Sequence, residues 1–239
     1  MNAPCLPQLT HTKIVYKVGP TCVGKGYEEN LEKRSLFGLT KAGLKIAFIS
    51  FGQIIRNKLA SDAEFQAVHG PTVGRGDLLD DPTAIALFVE ALQGILSSGE
   101  PDIILVDGFC RSTAQIAFAI ENGYLRKQDQ FYFIEAALPD CMARFVHRKG
   151  KGDAKRIDHE METFHRRYHL HRDTVGNLRN MLLEAENAPQ IIDIDANRRP
   201  EDGDDFLKCI PDAVHPSILS TLLPLAFHQM AARQAFATV

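Results

Sequence analysis

The chain has 239 residues, 45% apolar and 24% charged, with a net charge of −3. That is enough for one large domain with a sizeable core, and the mild acidity excludes the global basic field that draws nucleic acid or an anionic membrane. No apolar run reaches membrane-spanning length, the start MNAPCLPQLTHTK lacks the basic-then-apolar form of a secretory leader, and the five cysteines (Cys5, Cys22, Cys110, Cys141, Cys209) show no paired spacing, so a soluble, cytoplasmic protein with free thiols is expected, as monomer or homodimer.

The first apolar run, Lys13–Val18, reads as a strand. It leads into Gly19-Pro20-Thr21-Cys22-Val23-Gly24-Lys25, which fits the phosphate-loop pattern G-x-x-x-x-G-K, and then into a polar, helix-favouring segment from Gly26 to Lys33. In that strand–loop–helix setting backbone N–H groups point inward at a polyphosphate, the helix N-terminus adds partial positive charge, and Lys25 adds a full one. Gly26 and Tyr27 stand where a Ser or Thr commonly follows the lysine to help hold magnesium. Gly26 suits close approach of the backbone to a phosphate.

Further buried strands are expected at Lys45–Ser50, Asp102–Asp107, Gln130–Glu135 and Gln190–Ile194, separated by helical patterns, as in repeated βαβ units. Polar, glycine-containing His69–Asp81 reads as an excursion. Asp81-Pro82 opens a helix with Asp as cap, striped by Ile85, Phe88, Val89, Leu92, Ile95 and Leu96 and ended by Gly99. Ser112 starts another, which stops at Gly123. Leu138, Cys141, Met142 and Phe145 stripe a third, and Ile157, Met161, Phe164 and Tyr168 a fourth, with Glu162 and Arg166 as an i,i+4 pair. The loop Lys149–Lys155 carries two glycines and suits a mobile lid. A helical extension is expected over 214–239.

Asp107 ends the third run, at the carboxyl tip of a central strand, where open α/β sheets bind ligands; it suits magnesium, directly or through water. Arg111 stands one turn on, near a helix N-terminus that disfavours a cation, which points to binding rather than helix stability. Arg144 and Arg148 share one helix face, Arg148 at the rim of the buried stripe; Arg156 closes the glycine loop and Arg167 lies on the next helix. Converging cations of this kind are what phosphoryl transfer needs. His159, His165, His169 and His171 have spacings that can bind metal, but few acids or cysteines support them, and they read as a solvated helix face. Cys110 has no positioned base and reads as a buried or lining thiol.

Together these motifs resemble adenylate kinase and its nucleoside monophosphate kinase relatives. The resemblance rests on Gly24-Lys25-Gly26, on Ser50-Phe51-Gly52-Gln53-Ile54-Ile55-Arg56, on Asp107-Gly108-Phe109-Cys110-Arg111 followed by Gln115, and on Arg144, Arg148, Arg156-Ile157-Asp158-His159 and Arg167, running in order from about Lys13 to Phe206. It implies a three-layer α/β/α fold with a five-stranded parallel sheet, a kinase-like domain over 1–213, an acceptor-binding insert over about 50–80, and a short lid at 149–155. It implies Mg-dependent phosphoryl transfer from ATP to a nucleoside monophosphate. The loop from Gly19 to Tyr27 would hold ATP, with Arg144 stacked on the donor adenine and the backbone near Arg199 along the base. Lys25, Arg148, Arg156 and Arg167 would neutralise the transferred group. Arg56 and Arg111 would grip the acceptor phosphate, with Phe51, Gly108 and Gln115 in the acceptor site.

The chain departs from the family at Tyr27, Phe51, Gln53, Cys110 and His159. A nucleotide-binding sensor without turnover, and a kinase of another small anionic metabolite, are the alternative readings.

Overall fold

The computed structural model describes residues 8–25, 45–150 and 160–197, with side chains left out for 147–150. The chain forms strands β1 (Lys13–Val18), β2 (Ile46–Ser50), β3 (Ile103–Asp107), β4 (Gln130–Glu135) and β5 (Gln190–Asp195). Its described helices are α1 (Phe51–Ser61), α2 (Ala63–Gly74), α3 (Asp81–Leu96), α4 (Thr113–Glu121), α5 (Leu138–Gly150) and α6 (Met161–Glu184). All strand pairs are parallel, in the order β2-β3-β1-β4-β5. The apolar runs read from sequence are these strands, with ends shifted by no more than a residue.

Alternation along the strands sorts the core into two layers. Ile14, Tyr16 and Val18 of β1, Ile104 and Val106 of β3, and Phe131 and Phe133 of β4 pack with Phe88 and Leu92 of α3 and Ile116 of α4. Val15, Leu105, Tyr132 and Ile134 face the other way, against Cys141 and Phe145 of α5 and Phe164 and Tyr168 of α6. The result is the three-layer α/β/α architecture of P-loop kinases. Helix α6 serves both layers, because Leu178 and Leu182, in its second half, belong to the first.

Four local readings change. Helix α3 is capped by Asp80, which accepts from Thr83 N at 2.9 Å, so Asp81 is its first helical residue. Half of the polar stretch His69–Asp81 is helical, because α2 runs to Gly74, capped by Asp62 accepting from Phe65 N at 2.9 Å and anchored by buried Val73. Arg166 pairs with Asp77 at 2.6 Å rather than with Glu162 among the described residues. Met142, expected on the buried stripe of α5, is instead exposed. Helix α5 extends to Gly150; the rest of the expected lid and the 214–239 extension lie outside the described residues.

The sheet's entry is fastened by Glu100. Its Oε1 accepts from the backbone N of Thr10, His11 and Thr12 at 2.7, 3.0 and 3.1 Å, and His11 Nδ1 lies 3.1 Å from Oε2. Burial pushes this carboxyl up, but the hydrogen bonds outweigh it and bring it from 4.5 down to about 2. A depressed folded-state value stabilises above the unfolded value and is lost as pH falls through the folded one. Glu100→Gln is therefore expected to lower stability above about pH 4.5, with the gap to wild type closing as pH falls toward about 2. Acid unfolding of both proteins, followed by circular dichroism, checks this; a gap that persists at the acid end refutes it.

Candidate active site

The site stands at the carboxyl ends of β1, β3 and β4. After Val18 the chain enters the glycine loop, whose shape needs special backbone. Gly24 has φ +116° and Cys22 has φ +60°, the latter in a region where a side chain is strained. Gly19 is fixed by space: an added Cβ would lie 2.4 Å from the Ile134 carbonyl oxygen on β4. Gly19→Ala must push the loop off the sheet. Its expected cost is about 1–3 kcal/mol, with loss of nucleotide binding beyond what the stability loss explains. Chemical denaturation alongside ATP titration checks it, and unchanged ATP affinity would show that the loop's seat on β4 is immaterial.

Lys25 is 8% exposed and curls back over its own loop, its Nζ donating to the carbonyls of Gly19 at 2.6 Å and Pro20 at 2.8 Å. The ammonium is thereby held at the mouth of the turn. Behind the loop, Arg144 is 6% exposed; Nη1 donates to Val23 O at 3.1 Å and Nη2 donates to Ala196 O. Arg144 thus ties the phosphate-type loop to the end of β5. Its guanidinium, expected to stack on a base, is committed to carbonyls here.

Across the strand ends, Asp107 lies in register with both Lys17 and Ser50. Its Oδ1 is buried and has no hydrogen-bond partner among the described residues. A buried acceptor of this kind needs a cation or water, so the residue suits magnesium held through water. Gly108 follows with φ +87°, which turns the chain sharply, and an added Cβ there would lie 3.6 Å from Arg111 Nη2.

Arg111 and Arg167 line one hollow with Val18, His171 and Thr174. The hollow is open to solvent at its mouth. Burial pulls the Arg111 guanidinium below its ordinary value, Asp107 opposes this, and Arg167 adds to it as a like charge. Two guanidiniums held close enough to repel one another are a local conflict that an anion would relieve. Arg167 also donates from Nη2 to Val73 O at 3.2 Å, linking α6 to the end of α2.

Arg56, half-buried on α1, donates from Nη2 to Gln53 Oε1 at 2.8 Å and is not among the lining of the hollow. Phe51 turns its ring into the core, 5.6 Å from that of Phe109. Gln115 is 4% exposed; Oε1 accepts from Arg111 N at 2.9 Å and Nε2 donates to Asp81 Oδ1 at 2.8 Å, so it fixes the turn that carries Arg111. The side chain of Arg148, and all of Gly26, Tyr27, Arg156 and Arg199, lie outside the described residues. No group of three or more metal-binding side chains occurs among the described residues. Cys110 is fully buried at φ +61°, and burial pushes its thiol well up, as an inert core residue requires.

Two residues escaped the sequence reading. His171, placed there on a solvated face, is instead half-buried in the hollow, its Nε2 3.3 Å from Glu135 Oε1. Glu135 ends β4 as Asp107 ends β3; that position at a strand tip was the available signal. Asp81 also escaped, because its freedom to hold Gln115 depends on the cap moving to Asp80.

No protein-family model matches the chain. The chain is 29% identical over 171 residues to an adenylate kinase of Deinococcus deserti, a match covering 69% of this chain and 80% of the relative. The relationship is a distant, adenylate kinase-like one. No helix among the described residues is long and apolar enough to cross a membrane.

Proposed function

We propose that the protein transfers the γ-phosphoryl group of ATP to a nucleoside monophosphate. The observation that carries this reading is the convergence of Arg111 and Arg167, from separate elements, on one hollow at the strand ends that also flank Lys25. A lone phosphate loop would suit many nucleotide-binding proteins. A second cationic wall facing it suits a reaction in which two phosphate-bearing substrates meet.

In this reading the loop N–H groups and Lys25 hold the donor phosphates, with Arg144 and the chain near Arg199 bordering the donor base. Arg111, with Arg56 on the neighbouring helix, holds the acceptor phosphate. Gln115, fixed between Arg111 and Asp81, lies beside the acceptor base. Arg167, with Arg148 and Arg156, offsets charge on the group in flight. Asp107 is the residue suited to magnesium, which when bound screens the phosphate charges. Closure of the surrounding segments expels water and keeps ATP from being hydrolysed.

The test is a panel of monophosphates (AMP, GMP, CMP, UMP, dTMP) with ATP and magnesium, scored for both diphosphate products. One member should be phosphorylated far faster than water attacks ATP. Tight ATP binding with no diphosphate formed from any of them would reject the kinase reading in favour of a nucleotide sensor.

A further inference from the structure

We propose that His171, braced by Glu135, is a further phosphate-contacting residue of this hollow, and that it takes a proton from bulk solvent when an anionic ligand enters. The proposal rests on the reading of the hollow as a nucleotide phosphate site.

The side chain of His171 is 12% exposed and lines the hollow beside Arg111 and Arg167. Its Nε2 meets Glu135 Oε1 at 3.3 Å, and the other oxygen of Glu135 accepts from Arg172 Nη1 at 3.1 Å. Burial pushes Glu135 up, but His171 and Arg172 outweigh this and keep it below the usual carboxylate value. An ionised carboxylate therefore fixes the ring and its tautomer, with Nε2 as donor.

The charged groups facing the ring come from every neighbouring element. Lys25 comes from the glycine loop, Arg111 from the turn before α4, Glu135 from β4, and Arg167 and Arg172 from α6 itself. Burial lowers the proton affinity of His171 and Glu135 raises it; Lys25 and Arg111 lower it again, and the net direction is down. Without an anion, the balance of these groups favours the neutral imidazole.

A polyphosphate reverses that balance. It offsets Lys25 and Arg111 while Glu135 stays in place, so the imidazolium becomes the favoured form and offers a second N–H. The proton comes from solvent, and no covalent bond to phosphorus is made or broken. By linkage, the affinity gained is complete below the free ring's pKa. It is lost as pH rises through the higher value of the bound ring.

Calorimetric titration of ATP, without magnesium, in two buffers of different ionisation heat counts the protons exchanged. ATP's own ionisation is common to wild type and variant, so the difference isolates the ring. Near about pH 7 wild type should take up roughly half a proton or more beyond His171→Gln. The variant's Kd should be about 10-fold weaker near about pH 6 and approach the wild-type value above about pH 8. Glu135→Gln should also cut the uptake while leaving the imidazole in place. Equal proton counts, or a Kd ratio that ignores pH, would overturn the proposal. If the variants do not fold, titrating the imidazole C–H signals of wild type with and without ATP decides the matter. One midpoint rising by about one unit on ATP addition supports it, and midpoints indifferent to ATP overturn it. A wild type that gives no ATP binding at all overturns the phosphate-site reading itself, and this proposal with it.

Discussion

Lys25→Ala is expected to lower kcat/KM for phosphoryl transfer by about 10²–10³-fold or more, the scale for removing a preorganised contact to developing charge in a dry site. The ammonium is nearly buried and already sits at the loop's mouth, so little reorganisation is needed when the donor phosphates arrive. The substitution has a second effect. The carbonyls of Gly19 and Pro20 lose their donor, which costs about 1–3 kcal/mol if neither is resolvated. The two effects separate by measurement. Thermal unfolding reports the second as a modest fall in Tm, whereas steady-state kinetics at a temperature where the variant is folded reports the first. Lys25→Met keeps the stem packed and should show the same kinetic loss. Transfer within a few-fold of wild type in both variants would remove the loop from the chemistry.

Arg111→Ala is expected to act on the other substrate. The KM for the monophosphate should rise by about 10²-fold or more, with the KM for ATP changed little, because a planar guanidinium grips a phosphate through two N–H groups at once. Arg111→Lys should recover only part of this, since an ammonium cannot reproduce the fork. The stability change should be small. Asp107 loses a favourable neighbour, while Arg167 loses a repulsive one. An equal rise in both KM values would place Arg111 at a general structural position rather than at the acceptor phosphate.

The strands were legible because each is a short apolar run bounded by turns, and burial on both faces leaves no alternative use for such a run. The glycine loop was legible because its spacing is a backbone requirement, written locally in Gly19 and Gly24. Arg111 and Arg167 could be flagged from local conflict and resemblance, but their shared hollow depends on how α6 passes the strand ends. The partners of Arg144 were not legible, for a related reason. Its i,i+4 spacing gives the helix face, while its partners Val23 and Ala196 are distant in sequence and are brought together by the register of β1, β4 and β5. His171 was lost within a polar, histidine-rich stretch because one side of α6 is wet and the other meets Glu135, and composition does not say which. The cap of α3 was misplaced by one residue because Asp80 and Asp81 are chemically equivalent candidates. The bonds from Thr83 to Asp80, and from Ser112 and Gln115 to Asp81, separate their roles.

Helix α6 packs its first half against one side of the sheet and its second half against the other. A stiff rod held on opposite sides of a plate is pinned where it crosses the rim, and here that point is Glu135, gripping His171 and Arg172 near the rod's middle. At the Met161 end, Arg166 and Arg167 bind Asp77 and the Val73 carbonyl at the close of α2; the opposite end is at Leu182. That far end lies against the core layer that includes Ile116 and Ala119 of α4, whose opening turn carries Arg111. One helix thereby joins the close of α2, the tip of β4 and the layer behind Arg111.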